Sequence, residues 1–241
     1  TTMAEHITAT GIVGWTLQKN PDIVLWCWLD DGSLLPFFYN REQNCLAWSD
    51  CPTVGEVESA CVVPNLSAGE DEIWCAINRQ INSSKTTYIE KFNFRPIPKT
   101  AGDCFFVDSG ITYDGDAVNT ISGLNHLIGT AVTVLGSGGT SGTYTIYSNI
   151  TVSPTGTVTL PTVVDIPQTV TKAQIGLPYT YELEPMRLDI TAKEGTYLGT
   201  NKKIYDIDIS LLNSARVKYG DSLDLYDIDI TTTGLVNKSS I

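Results

Sequence analysis

Ile23-Val24-Leu25-Trp26-Cys27-Trp28-Leu29 runs into Asp30-Asp31-Gly32 and then into Ser33-Leu34-Leu35-Pro36-Phe37-Phe38-Tyr39. Two apolar runs around Asp-Gly are the strongest short-range β-hairpin signal a sequence carries, because glycine supplies the positive φ that a tight turn demands. The texture continues outward. Cys45-Leu46-Ala47-Trp48 follows, then an apolar-leaning run at 56–64, a polar turn at 67–71, Glu72-Ile73-Trp74-Cys75-Ala76-Ile77, the turn residues Asn82-Ser83-Ser84, and a run at 86–92. That spacing predicts about six strands with turns roughly every 8–14 residues, the pattern of successive antiparallel hairpins in a sandwich, a barrel or propeller blades. Thirty Thr, 11 Tyr and 5 Trp, with 20 Gly and 11 Pro, agree with strands and turns, since β-branched and aromatic side chains suit a pleated surface. No long stretch keeps a helical period. The expected class is all-β.

Three textures divide the 241 residues. Residues 1–101 hold most of the aromatic anchors and cysteines and are expected to form a propeller- or sandwich-like β domain. Residues 102–190 are rich in Thr, Gly and Val in short alternating runs, and are expected to be an inserted small β-barrel or β-roll. Residues 191–241 are expected to return as strands that complete the first domain or add a further one. There Tyr205-Asp206-Ile207-Asp208-Ile209-Ser210 and Tyr226-Asp227-Ile228-Asp229-Ile230-Thr231 are near-repeats. Alternation puts Tyr and Ile on one face and Asp on the other, so the two are expected to pair as strands. The four Asp are not read as a metal site, because calcium loops mix carboxylates with glycine turns and backbone carbonyls.

Charge narrows the partners. Fifteen Lys and Arg stand against 27 Asp and Glu, a net charge of −12. A general DNA-coating surface needs clustered cations and is not expected. No apolar run approaches the ~20 residues of a membrane-spanning helix. Cys27, Cys45, Cys51, Cys61, Cys75 and Cys104 include no C-x-x-C pair and no neighbouring His, so a zinc site built from local ligand pairs is unsupported. Cys27 and Cys75 sit inside apolar runs and are expected to be small buried hydrophobes. Reduced cysteines are the expected state, with one or more disulfides as the alternative.

The catalytic inventory is thin. His6 and His126 stand without a G-x-S-x-G elbow and are expected to be hydrogen-bonded structural residues. Gly136-Ser137-Gly138-Gly139-Thr140-Ser141-Gly142 misses G-x-G-x-x-G at Ser141, lacks a Walker lysine and is expected to be a flexible loop. Glu70-Asp71-Glu72 is expected to be a solvated turn. The sequons at Asn65, Asn82, Asn149 and Asn237 are what chance gives in a Ser/Thr-rich chain. A non-enzymatic protein is expected, with no catalytic, cofactor-binding or metal-ligating residue.

A set of ordered motifs carries more. Ala4-Glu5-His6-Ile7-Thr8, Asn20-Pro21-Asp22-Ile23-Val24-Leu25-Trp26 and Asp31-Gly32-Ser33-Leu34 precede Tyr39-Asn40-Arg41-Glu42-Gln43-Asn44-Cys45-Leu46-Ala47-Trp48. Then come Gly55-Glu56-Val57-Glu58-Ser59, Asp71-Glu72-Ile73-Trp74 and Tyr88-Ile89-Glu90-Lys91-Phe92. Val107-Asp108-Ser109-Gly110-Ile111-Thr112-Tyr113, Ser122-Gly123-Leu124-Asn125-His126-Leu127-Ile128-Gly129 and Gly176-Leu177-Pro178-Tyr179-Thr180-Tyr181-Glu182-Leu183 continue the series to the stretch at 203–216. In this order they resemble the later half of the tail tubular protein B family, the nozzle proteins of short-tailed bacteriophages. Cys45 departs from the pattern, standing where the family tends to carry an aliphatic residue.

The resemblance implies a virion structural protein of the phage tail. It implies a ring of identical subunits, commonly six, below the portal and adaptor proteins and near the tail fibres. That ring closes the tail channel and conducts viral DNA as passing cargo. An acidic channel wall suits that role, since it repels phosphate and lets DNA slide. Members of that family are usually longer, so this chain, starting at Thr1 without a Met, is expected to be either a part of a longer subunit or a shorter variant. The alternative is a carbohydrate-binding or receptor-adhesion β module, which needs exposed aromatics clustered on one face; Trp15, Trp26, Trp28, Trp48 and Trp74 decide it.

Overall fold

The computed structural model describes residues 4–93, 100–142, 144–183, 191–192, 195–196, 206–210, 218–220, 225–227 and 235–239. Among these residues every regular element longer than a 3₁₀ turn is a strand, and the strands pair antiparallel in several separate sheets. The all-β expectation holds. Residues 1–181 form one compact unit and residues 182–241 another.

The first unit opens with a four-stranded sheet in sequence order: β1 (Ile12–Gln18), β2 (Val24–Leu29), β3 (Leu34–Asn40) and β4 (Cys45–Trp48). A three-stranded sheet follows, β5 (Glu56–Asn65), β6 (Glu70–Ile81) and β7 (Ser84–Lys91). The two share a core in which Val24, Trp26 and Leu34 pack with Val57, Ile73, Cys75 and Ile77. Cys27 and Cys75 are both buried, as their apolar settings predict, and all six cysteines are free thiols. Gln18 is the buried polar exception on β1; its side-chain carbonyl accepts the Trp26 indole N–H at 3.0 Å and its amide donates to the Asn20 carbonyl at 2.9 Å.

The deciding hairpin has a three-residue loop. The Gly32 N–H donates to the Leu29 carbonyl at 3.0 Å and the Leu29 N–H to the Ser33 carbonyl at 2.9 Å. Gly32 has φ +82°, so the turn is closed by a left-handed glycine. Gly32 is also where the second sheet docks. Its carbonyl accepts the Val57 N–H at 2.8 Å, and a Cβ there would lie 2.6 Å from Glu56 Cβ. The β6–β7 hairpin is tighter still, with Asn82 and Ser83 at φ +46° and +65°, the two-residue turn that matches the twist of its strands.

Strand β1 is absent from the sequence reading. Gly14 interrupts its apolar alternation, and the structure shows why glycine stands there. A Cβ at Gly14 would lie 2.2 Å from the Trp28 indole. The ring occupies the space a side chain would need.

The rest of the first unit holds β8 (Asp108–Val118), β9 (Thr120–Ser122), β10 (Ala131–Ser137), β11 (Thr145–Thr151), β12 (Thr157–Thr159), β13 (Thr162–Val163), β14 (Ile166–Pro167) and β15 (Val170–Leu177). The module expected as a small barrel or roll takes the form of a four-stranded sheet ordered β11-β10-β15-β8, with the ribbons β9–β12 and β13–β14. Leu124, Leu127, Val132, Val134, Val158, Val170 and Ile175 fill its core, and Ile81 from β6 joins them. The glycine-rich loop expected to be flexible is instead a pinned 3₁₀ turn at Gly139–Ser141. Ser141 is buried; its N–H donates to the Thr169 carbonyl at 3.2 Å and its hydroxyl lies 2.6 Å from the Tyr147 hydroxyl.

In the second unit β16 (Thr191–Ala192) pairs with β17 (Gly195–Thr196), β18 (Asp206–Ser210) with β21 (Leu235–Ser239), and β19 (Lys218–Gly220) with β20 (Leu225–Asp227). Among the described residues, 206–210 of the first near-repeat and 226–227 of the second take other partners and do not pair with each other, contrary to expectation. Tyr205 and residues 228–231, Asp229 included, lie outside the described residues. Tyr219 is the register partner of Tyr226 across a short connection of low closure entropy, whereas 206–210 pairs with 235–239 across a connection longer than the one between the repeats.

Gly32→Ala tests the joint between the first two sheets. The added methyl meets both a left-handed φ and the backbone of Glu56, so a loss of about 1–3 kcal/mol is expected in urea unfolding of the whole chain.

Candidate functional site

Strand β6 alternates with its core face at Ile73, Cys75, Ile77, Arg79 and Ile81, all buried. Four of the five are apolar. The fifth is an arginine with 1% exposure, set between the residues that enter the first core and Ile81, which enters the second. A buried guanidinium is tolerated only when its N–H groups are paired. Here Nε and Nη2 donate to the two carboxylate oxygens of Glu90 on β7, each at 2.6 Å. Nη1 donates to the Val54 carbonyl at 2.6 Å and to the Thr53 hydroxyl oxygen at 3.0 Å. Thr53 passes the link on, its hydroxyl donating to Asp108 Oδ2 at 2.6 Å. Asp108 also lies 3.9 Å from Nη1. One arginine thus ties β6 to β7, to the β4–β5 loop and to the first residue of β8.

These residues border a cleft of about 1150 Å³ between the halves of the first unit. Cys51, Asp50, Phe105, Phe106, Tyr179, Tyr181 and His126 also line it. Burial raises the Asp108 carboxyl above its usual pKa, against the lowering effects of the Thr53 hydroxyl and Arg79. Burial likewise pushes the Cys51 thiol up to about 11, with Asp108 and Asp50 adding to it. The Cys51 thiol is therefore protonated and a poor nucleophile at neutral pH. The Tyr179 phenol is raised too, first by burial and then by Asp108.

His126 meets its expected structural role. Nε2 lies 2.7 Å from the Ser109 carbonyl, and the His126 carbonyl accepts the Tyr88 hydroxyl at 3.0 Å. His6 is exposed. The Glu70-Asp71-Glu72 stretch is not a solvated turn but the start of β6. Asp71 Oδ2 accepts the N–H groups of Lys19 and Asn20 at 2.8 and 3.0 Å. Glu72 accepts from Asn65 at 2.9 Å, from the Trp74 indole at 3.0 Å and from Lys91 at 3.1 Å. These carboxylates are occupied in holding strands together. Among the described residues no group of three or more His, Cys, Asp and Glu is placed to hold a metal ion. The Arg79–Glu90–Asp108 network has no motif in the sequence. Its one signal was an arginine at a core-facing position of an alternating strand.

The chain matches no protein-family model and no curated protein sequence.

The second feature is the outer face of the β1–β4 sheet. The pairing register places Trp15 opposite Cys27, Cys27 opposite Leu35, Leu17 opposite Leu25, Leu25 opposite Phe37, Phe37 opposite Trp48, and Tyr39 opposite Leu46. All of these are apolar or aromatic, and beyond the register shift at Val13 the pairing of Ile12 with Leu29 adds Ile12. Trp15 and Leu46 are 64% and 63% exposed, with Ile12, Tyr39 and Leu17 also exposed. Both faces of this sheet are therefore apolar, which is the composition of a sheet covered on both sides.

The tryptophans bear on carbohydrate binding. Trp26 is buried, Trp28, Trp48 and Trp74 are half-buried, and Trp15 alone is exposed. Tyr39, the other exposed aromatic on this face, lies two strands across and four residues along from Leu35, the residue in line with Trp15. Strand spacing makes that ~16 Å. The two rings do not form one stacking platform.

Two substitutions test the network. Arg79→Leu leaves Glu90 without its partner, and a loss of about 3–5 kcal/mol is expected by denaturant unfolding, part of it returned when Glu90→Leu is added. Asp108→Asn acts in the opposite direction. A carboxyl whose pKa is raised on folding costs stability as pH climbs from its unfolded value through its folded one. The Asn variant is therefore expected to melt above the wild type at pH 7, the gain shrinking toward pH 4.

Proposed function

We propose that the chain is a tail nozzle subunit of a short-tailed bacteriophage, a virion protein that works by assembly into a ring. The ring extends and closes the tail channel and conducts viral DNA at ejection. Its partners are further copies of itself, six in the family that it resembles, together with adaptor and portal-side proteins and tail fibres.

Support comes first from the order of the motifs between residues 4 and 216. The observation that carries an assembly role is the uncharged outer face of the β1–β4 sheet. Like-charged subunits at −12 each repel one another, and an interface between them has to be built from an uncharged patch. Ile12, Trp15, Leu17 and Leu46 offer one. The acidic balance also suits a wall past which DNA slides without being held.

Negative-stain imaging of the full chain, or of tails that contain it, tests the proposal. Closed rings are expected. Trp15→Glu combined with Leu46→Glu is expected to leave the fold intact by circular dichroism and to leave only monomers in size-exclusion chromatography. A monodisperse wild-type monomer in native tail extracts would overturn the proposal.

A further inference from the structure

The cleft carries a charge imbalance that its own side chains do not resolve. Arg79 is matched by Glu90, Lys91 by Glu72, and Asp103 by Lys172. Asp108 is left sharing Arg79 at 3.9 Å with a partner that already holds the guanidinium in two short bonds. Asp50 lines the same cleft, with no cation of its own among the described residues. The guanidinium has almost no exposure, so an anionic ligand finds no free cation at the floor. A metal ion needs several hard oxygen ligands in one shell, and no such group is present among the described residues.

The walls around Asp108 are aromatic. Phe105, Phe106, Tyr179 and Tyr181 all face the space, which is large enough for a drug-sized molecule. Aromatic faces attract organic cations, and the attraction grows as water is excluded. The wall already shows the habit: Lys91 Nζ lies 5.6 Å from the centre of the Trp74 ring.

We propose that this cleft is a binding site for a small organic cation, with Asp108 as its counter-ion and Phe106 and Tyr179 against its apolar body. The cation supplies the charge that Arg79 cannot give to two carboxylates at once. It leaves the Arg79–Glu90 pair undisturbed. The site is independent of the ring assembly proposed above.

Isothermal titration of the full chain with benzamidine, cationic at pH 7.5, and with neutral benzyl alcohol tests this. Saturable one-to-one binding of benzamidine is expected, with benzyl alcohol at least tenfold weaker. Asp108→Asn is expected to weaken benzamidine at least tenfold and to leave benzyl alcohol unchanged. Phe106→Ala, at an exposed position that does not threaten the core, is expected to weaken both probes. Circular dichroism and thermal melts verify that each variant is folded. No saturable binding of benzamidine, equal affinity for the two probes, or undiminished binding by Asp108→Asn would overturn the proposal.

Discussion

A guanidinium cannot sit in an apolar layer without partners, and the first unit is arranged around that requirement at Arg79. The side chain occupies a position on β6 where the alternation calls for a hydrophobe. Two of its hydrogen bonds reach Glu90 on β7 and two reach the Thr53-Val54 corner before β5, and Thr53 passes the link on to Asp108 at the start of β8. Replacing the network with well-packed hydrophobes would cost little stability in principle. What it supplies is registration, because this docking brings partners to Nε, Nη1 and Nη2 together. Asp108 is the member left short of positive charge, and burial raises its pKa despite Arg79.

Much of the first unit was legible because its strands obey a period of two and its turns carry the right residues. The Asp-Gly turn, the Asn82-Ser83 turn and the buried Cys27 and Cys75 all follow from local rules. Three features did not. Strand β1 was hidden by Gly14, whose reason is the Trp28 ring across the strand pair, a contact that exists only after pairing. Strand β15, central in its sheet and buried along most of its length, reads as polar because Lys172 and Gln174 interrupt it. Their partners lie far away in sequence: Lys172 pairs with Asp103 and Asp114, and the Gln174 amide donates to the Gly102 carbonyl at 3.0 Å. In the second unit the described parts of the near-repeats, 206–210 and 226–227, meet other strands, since similarity of strands does not specify which strands pair.

The candidate site was less legible than the fold for the same reason. Arg79, Glu90, Asp108 and Thr53 are scattered over more than fifty positions and form no motif. Of the carboxylates that did look like a cluster, Glu70-Asp71-Glu72, Asp71 is engaged in strand-to-loop bonds and Glu72 in bonds to β5 and β7. The outer face of the β1–β4 sheet was half legible. Its apolar runs are plain in the sequence, but which members stay exposed depends on the register.

One strand, β6, contributes Ile73, Cys75 and Ile77 to the first core and Ile81 to the second. Neither core can open without disturbing a backbone that the other holds. The two halves of the first unit are therefore coupled in their fluctuations, like two rooms sharing a single beam. Amide protons in the middle of β6, flanked by β5 and β7 along its length, belong to the slowest hydrogen-exchange class, released only when the whole unit unfolds.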